Sequence, residues 1–276
     1  MCAAVRHCYF SLSGGDARHV GPLCLACGSQ HSCHTDPVPA SRPSRAREAL
    51  TIAKALVVGG ERREAAIARI VRPTNLFQPY TTTSPDRYPD EFEQVRTTLV
   101  VAEPRILSFG CSSGDELLTL RLYFPTSRID GIDANPLAIR TARKRIAAAG
   151  LTDRITATKG TDASAVPPAS YDAVLALAVF RHGGLSDSPP RCDHLIRFAD
   201  FERTVSDLGA AVKPGGVFVI RHANFRFTDC AVAAGFELVQ GGYASGGAGG
   251  LPSPVYGRDD ELLDLDQRDD GIYRRT

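Results

Sequence analysis

The chain has 276 residues, 43% of them hydrophobic, enough to bury a full core in one domain with an extension or in two small domains. Its 32 basic and 31 acidic residues leave a net charge of +1, which argues against a nucleic-acid or anionic-membrane partner. No apolar run approaches the ~18 residues of a membrane span, and Arg6, His7 and the stretch from Gly14 to Arg18 interrupt any signal-peptide core, so the chain reads as cytoplasmic.

Residues 1–44 lack sustained periodicity. They are rich in Cys, His, Gly, Ser and Pro, end in the breaker series DPVPASRPS, and read as a disordered extension. Within them CLACGSQHSCH, Cys24 to His34, carries metal-ligand residue types. A zinc site pairs two ligand clusters a dozen or more residues apart, and here there is one compact cluster, so no metal is assigned. Cys111, Cys192 and Cys230 are scattered through the body, as reduced thiols of a cytosolic enzyme would be.

Residues 45–103 read as a helical segment followed by a lid. Ala49, Ile52, Ala53 and Leu56 have helical spacing, Gly59-Gly60 breaks it, and Glu61 to Val71 resumes it. Pro73, Pro79 and Pro85 forbid a continuous helix from Arg72 to Phe92, and Asp90 to Val101 reads as a helix leading into the first strand.

Residues 104–276 alternate strand and helix patterns, which predicts an α/β fold: a doubly wound, mostly parallel sheet. Ile106 to Phe109 is a short buried strand, Gly110 to Gly114 a tight loop, Asp115 to Phe124 a helix, and Arg128 to Ile132 a second strand ending on Asp133. Small residues let backbone approach a ligand closely, and the following helix aims its amides at the same spot. Asp133 stands about 20 residues past the loop, where an acid meets ribose hydroxyls. Asn135 caps a helix with Pro136 in its first turn, and Gly150 stops it. Ile155 to Thr158 is a third strand, and the apolar run Tyr171 to Val179 suits a central parallel strand. Leu195 to Val212 is a helix, Lys213 to Gly216 a turn, and Val217 to Ile220 and Phe236 to Val239 further strands. Val255–Tyr256 and Ile272 to Arg274 are candidates for a closing strand.

GCSSGDE followed by GIDAN resembles the class I S-adenosylmethionine (SAM) methyltransferases, with wording nearest the GCSTGEE of chemotaxis-receptor methyltransferases and unassigned bacterial relatives. The resemblance runs from Leu76 to Thr276 and is specific through Asp133. It implies SAM as cofactor, held by Gly110, Cys111, Ser112, Gly114, Asp133 and Ala134. It also implies an adenine contact at Asp162 and Ala163, for which the alternative is a simple turn cap. The segment before the first strand would cover the cofactor, making Gln78, Tyr80, Thr81, Arg87 and Tyr88 lid candidates, with Tyr80, Arg87 and Tyr88 against the acceptor.

Methyl transfer from a sulfonium mainly requires alignment and exclusion of water, and a base only where the acceptor must lose a proton. His182 and His222 follow predicted strands and are the candidate bases, the alternative being structural histidines bonded to backbone. Arg181, Arg221 and Arg226 suit an acceptor carboxylate or phosphate, and Asn224 is a further acceptor contact. The expected reaction is methylation of an acceptor, a small molecule in preference to a protein. AVFRHGG replaces the RNVLIYF-like strand ending of the chemotaxis-receptor enzymes, and their small β-subdomain has no room, which leaves protein-carboxylate methylation as an alternative. A non-catalytic SAM-fold protein is a second. An oxidoreductase is disfavoured because G-x-G-x-x-G is absent.

Overall fold

The computed structural model describes residues 76–79, 83–241, 254–263 and 268–276, plus four isolated helical positions at 50, 53, 54 and 57. The leader with its Cys24 to His34 cluster, the 61–71 stretch, Tyr80, Thr81 and the glycine-rich stretch from 242 to 250 lie outside the described residues. All described residues belong to one unit, Ser44–Thr276.

Among the described residues from 76 onward, four α-helices and seven sheet strands build the body: α1 Pro89–Thr98, β1 Arg105–Phe109, α2 Asp115–Tyr123, β2 Arg128–Asp133, α3 Pro136–Ala148, β3 Ile155–Lys159, β4 Tyr171–Leu177, α4 Phe198–Ala211, β5 Val212–Arg221, β6 Phe236–Gly241 and, last in the chain, Gly271–Arg275. Two short strands precede that last one, β7 Val255–Tyr256 and β8 Leu262–Leu263, so Gly271–Arg275 is β9. The sheet order is β3-β2-β1-β4-β5-β9-β6. Strands β1 to β5 are parallel, and β9 is antiparallel to both β5 and β6.

The sequence places most of these elements correctly and misses details that depend on distant partners. The closing strand is 271–275, while Val255–Tyr256 pairs with Leu262–Leu263 in a separate two-stranded ribbon. The KPGG stretch is part of β5, not a turn outside it, and α4 begins at Phe198.

Side chains alternate across the strands. Leu107, Phe109, Val174, Ala176, Phe218 and Ile220 point to the face covered by Phe201, Val205 and Leu208 of α4. Ile106, Ala173, Leu175, Val217 and Val219 point to the face covered by Phe92 of α1, Leu117 and Leu120 of α2 and Ile139 of α3. Helices therefore cover both faces, which is why β4 is buried along its whole length. Strand order runs outward from β1 to β3 and then restarts at β4. The β1/β4 boundary is thus the switch point where such sheets hold ligands beyond their carboxyl ends.

A buried charge cluster ties the element before β1 to the far half of the sheet. Glu91 of α1 is 3% exposed, Arg221 at the end of β5 is 5% and Asp270 before β9 is 6%. Arg221 Nε lies 2.5 Å from Glu91, and Asp270 pairs with both Arg221 and Arg268 at 3.6 Å. Asp270 also accepts the His222 N–H at 2.7 Å. Removing one member of a buried pair strands the other charge away from water. Glu91→Ala should therefore lower stability by about 3–5 kcal/mol, read as a shifted denaturant midpoint. A loss below ~1 kcal/mol, the range of surface pairs, would show that this pair does not hold α1 to the sheet.

Candidate active site

Beyond the carboxyl ends of β1 and β4 lies a cavity of about 400 Å³, within the ~300–1,000 Å³ typical of small-ligand sites. Its floor is the loop after β1. Gly110 has φ +87°, and a Cβ there would stand 2.7 Å from Val179 Cβ, so only glycine allows the loop to pass under β4. Gly114, φ +88°, is the N-cap of α2 and abuts the Ala142 backbone of α3. It sets helix packing and does not line the cavity.

Asp133 ends β2 and fixes that loop. Its Oδ2 accepts the Ser112 N–H at 2.8 Å and its Oδ1 accepts the Asn135 N–H at 2.8 Å. Gly110 and Cys111 donate to the Ile132 carbonyl at 2.8 and 3.1 Å, so loop and strand end are laced together. Asn135 is the α3 cap, accepting from Leu137 and Ala138. Gly110, Cys111, Ser112, Asp133 and Ala134 all line the cavity. Burial raises the Cys111 thiol well above its ordinary pKa, so it is a neutral packing group.

Glu116, in the first turn of α2, also lines the cavity and is the residue that the sequence reading missed. Its carboxyl accepts from Ser108 Oγ at 2.7 Å. Desolvation raises its pKa to about 7, against the lowering effects of Ser108 and Arg87. The signal in the sequence was Ser108 itself, a polar residue inside an apolar strand, eight positions before an acid.

Two segments before β1 cover the cavity. Leu76, Phe77, Gln78 and Pro79 line it, and Phe77 packs edge-on to Phe180 at 5.1 Å. Thr83 to Tyr88 line most of a second wall, held to α2 by the Asp86 N–H on Thr119 Oγ1 at 3.2 Å and by Tyr123 Oη on Asp86 at 3.0 Å. Arg87 lies over the Tyr88 ring at 5.3 Å. Burial raises the Tyr88 hydroxyl to about 12, and its Oη is buried without a hydrogen-bond partner.

The chain leaves β4 through Ala178, φ +57°, into Val179, Arg181 and Gly183, all on the cavity wall. Ser112, φ +47°, and His222, φ +53°, are also left-handed. With Asp86, φ +48°, on the cavity wall, four non-glycine residues in this strained region sit at or beside one cavity, where strain of order 1 kcal/mol each is commonly stored.

The other expected residues fall elsewhere. Asp162 Oδ1 accepts from the Ser164 N–H and hydroxyl, Ala163 is in the core, and the cavity meets Gly160 and Thr161 instead. Asn224 is a buried clasp, accepting from the His182 N–H at 2.7 Å and donating to the Pro254 carbonyl. Neither His182 nor His222 is among the described cavity-lining residues. His182 Nδ1 accepts the Gly184 N–H, as a turn cap. The His222 ring lies 5.9 Å from that of Tyr88, and burial together with Arg221, Arg181, Arg268 and Arg87 lowers its pKa to about 4. Arg221 and Arg226 pair with Glu91 and Asp229.

A seven-stranded sheet of this order, with one antiparallel strand near its edge and a loop–acid pocket at the switch point, is the class I methyltransferase fold. Residues 107–218 match the family profile described as "Methyltransferase domain", and this stretch is such a domain. Over 71 residues the chain is 32% identical to the ribosomal protein uL3 glutamine methyltransferase of Bordetella pertussis, covering 26% of this chain and about a quarter (24%) of that protein. Solved structures similar in part include the YcgJ protein of Bacillus subtilis, at 19% identity and TM-score 0.37 over 48% of this chain and 50% of that one. Geranyl diphosphate C-methyltransferase of Streptomyces coelicolor A3(2) is similar at 15% identity and TM-score 0.36, over 48% of this chain and 44% of that one. Among the described residues no helix is long and apolar enough to cross a membrane, and no cluster of metal-ligating side chains occurs.

Glu116 makes stability depend on pH with a definite sign. Its folded pKa is near 7 and its ordinary value 4.5, so the folded state holds this proton more tightly. Stability of the ligand-free protein should fall as pH rises from about 4.5 to 7 and level off above. Glu116→Gln should flatten that slope, the variant gaining melting temperature relative to wild type as pH rises. A difference independent of pH would contradict the assignment.

Proposed function

We propose that this protein transfers a methyl group from SAM to a small-molecule acceptor. The observation that carries this reading is the pair of carboxylates, Asp133 and Glu116, on either side of the Gly110 to Ser112 loop in one cavity. Asp133 lines the cavity at the end of β2, where its carboxylate, an acceptor on both oxygens, would meet the ribose hydroxyls of SAM. Glu116 is a carboxylate whose ionised form is disfavoured in the ligand-free protein. An ammonium beside it would remove that penalty, as the methionyl amino group would, and Arg87, whose charge acts on Glu116, would answer the neighbouring carboxylate. The donor set therefore fits SAM.

SAM, when bound, supplies a methyl group already activated on a sulfonium. The chain's own tasks are then to orient and to exclude water. Phe77, Phe109 and Val179 give the cavity an apolar wall, and the segments 76–79 and 83–88 lie over it, which favours an acceptor small enough to enter. The uL3 methyltransferase likeness is too short to carry a macromolecular acceptor to this chain.

Titration of S-adenosylhomocysteine (SAH) into single variants tests the reading. Asp133→Ala should weaken SAH by at least about tenfold, since each bond to a charged acceptor contributes roughly 1.5–3 kcal/mol and ~1.4 kcal/mol is tenfold. It should also lose about 1–3 kcal/mol of stability, because the Ser112 and Asn135 amides lose their acceptor. Glu116→Gln should weaken SAH while sparing stability at pH 8. Unchanged SAH affinity in Asp133→Ala would overturn the cofactor assignment.

A further inference from the structure

We propose that the methyl acceptor carries an anionic group, a carboxylate or a phosphate, and that Arg181 seats it; this rests on the SAM reading above. Arg181 follows β4 on the cavity wall and is half-buried. Its neighbours are spoken for: Arg221 pairs with Glu91 and Asp270, and Arg268 with Asp270. Arg181 itself forms no ion pair among the described residues, and its Nε is buried without a hydrogen-bond partner. Burial and the nearby positive charges of Arg87 and Arg268 make its cation unfavourable there, yet a guanidinium does not give up its proton in proteins. Arg181 lacks an anion of its own: among the described residues no carboxylate pairs with it, and Asp270, whose charge acts on it, is held by Arg221 and Arg268.

SAM does not supply it. Its ammonium and carboxylate answer Glu116 and Arg87, and its sulfonium adds a further positive charge to the same cavity. An anionic acceptor answers both that charge and Arg181. The Tyr88 hydroxyl, on the same cavity and also without a partner, is a second donor for such a group. No histidine is among the described lining residues, which suits an acceptor oxygen that arrives already deprotonated.

The test is calorimetric, on the full chain saturated with SAH, with benzoate, phenyl phosphate and benzamide as probes. At least one of the two anions should bind at least about tenfold more tightly than the neutral amide, the step that ~1.4 kcal/mol represents, and which anion does so separates carboxylate from phosphate. Arg181→Gln should abolish that preference while SAH affinity stays within about twofold, as for a site outside the cofactor contacts. Arg181→Lys should retain part of it, and shows whether loss in the Gln variant reflects charge or misfolding. Equal binding of benzamide, no binding of either anion, or a preference that survives in Arg181→Gln would overturn the proposal. Failure of SAH itself to bind would sink the cofactor reading and this inference together, whereas SAH binding without an anion preference sinks this inference alone.

Discussion

The Asp133 carboxylate is the constraint on which the site depends. It stands at the end of β2 and accepts one amide from the β1 loop and one from the start of α3. The first ties the loop after β1 to a strand end 21 residues further along the chain, and the second turns the chain from β2 into α3. They fix the left-handed turn at Ser112, and hence the path that leads into α2 and aims Glu116 at the cavity. Small residues at Gly110 and Gly114 permit this geometry, and the carboxylate selects it. The same residue lines the cavity, so one side chain both builds the site and forms part of its wall.

Charge is distributed unevenly around that constraint. Behind the cavity, Glu91, Arg221, Asp270 and Arg268 pair with one another and lock α1 to the ends of β5 and β9. Within the cavity, Glu116 is raised to about 7 by desolvation, and Arg181 lies half-buried beside other cations. Paired charges hold the scaffold, and charges disfavoured in the ligand-free protein face the space where a ligand goes. Poor self-satisfaction at one place in an otherwise well-paired body is the physical mark of a binding site.

The central half of this fold was legible in the sequence because its signals are local. Apolar runs gave β1 and β4, glycine spacing gave the loop, and Asn135-Pro136 and Gly150 bracketed α3. Asp133 was found from its distance to the loop. Features set by distant partners were not legible. The insertion of β9 between β5 and β6 joins residues that no local pattern connects. Glu116 was hidden because its role depends on which side of α2 faces Ser108. Asp162 and Asn224 have the residue types of ligand contacts, yet backbone donors and acceptors a few ångströms away claim them first. His182 and His222 follow their strands as expected, but the His182 ring accepts a neighbouring N–H, the His222 ring lies beside that of Tyr88, and neither is among the described cavity-lining residues.

The central claim is that the loop, Asp133 and Glu116 form a SAM site and not a dinucleotide site. Thermal unfolding with and without SAH, and separately with NAD, tests it most directly. At ligand concentrations ~100 times the dissociation constant, binding adds about 2.7 kcal/mol to stability by mass action. The account predicts a rise in melting temperature with SAH that grows with concentration, and none with NAD. No shift with SAH, or a shift with NAD alone, would contradict it.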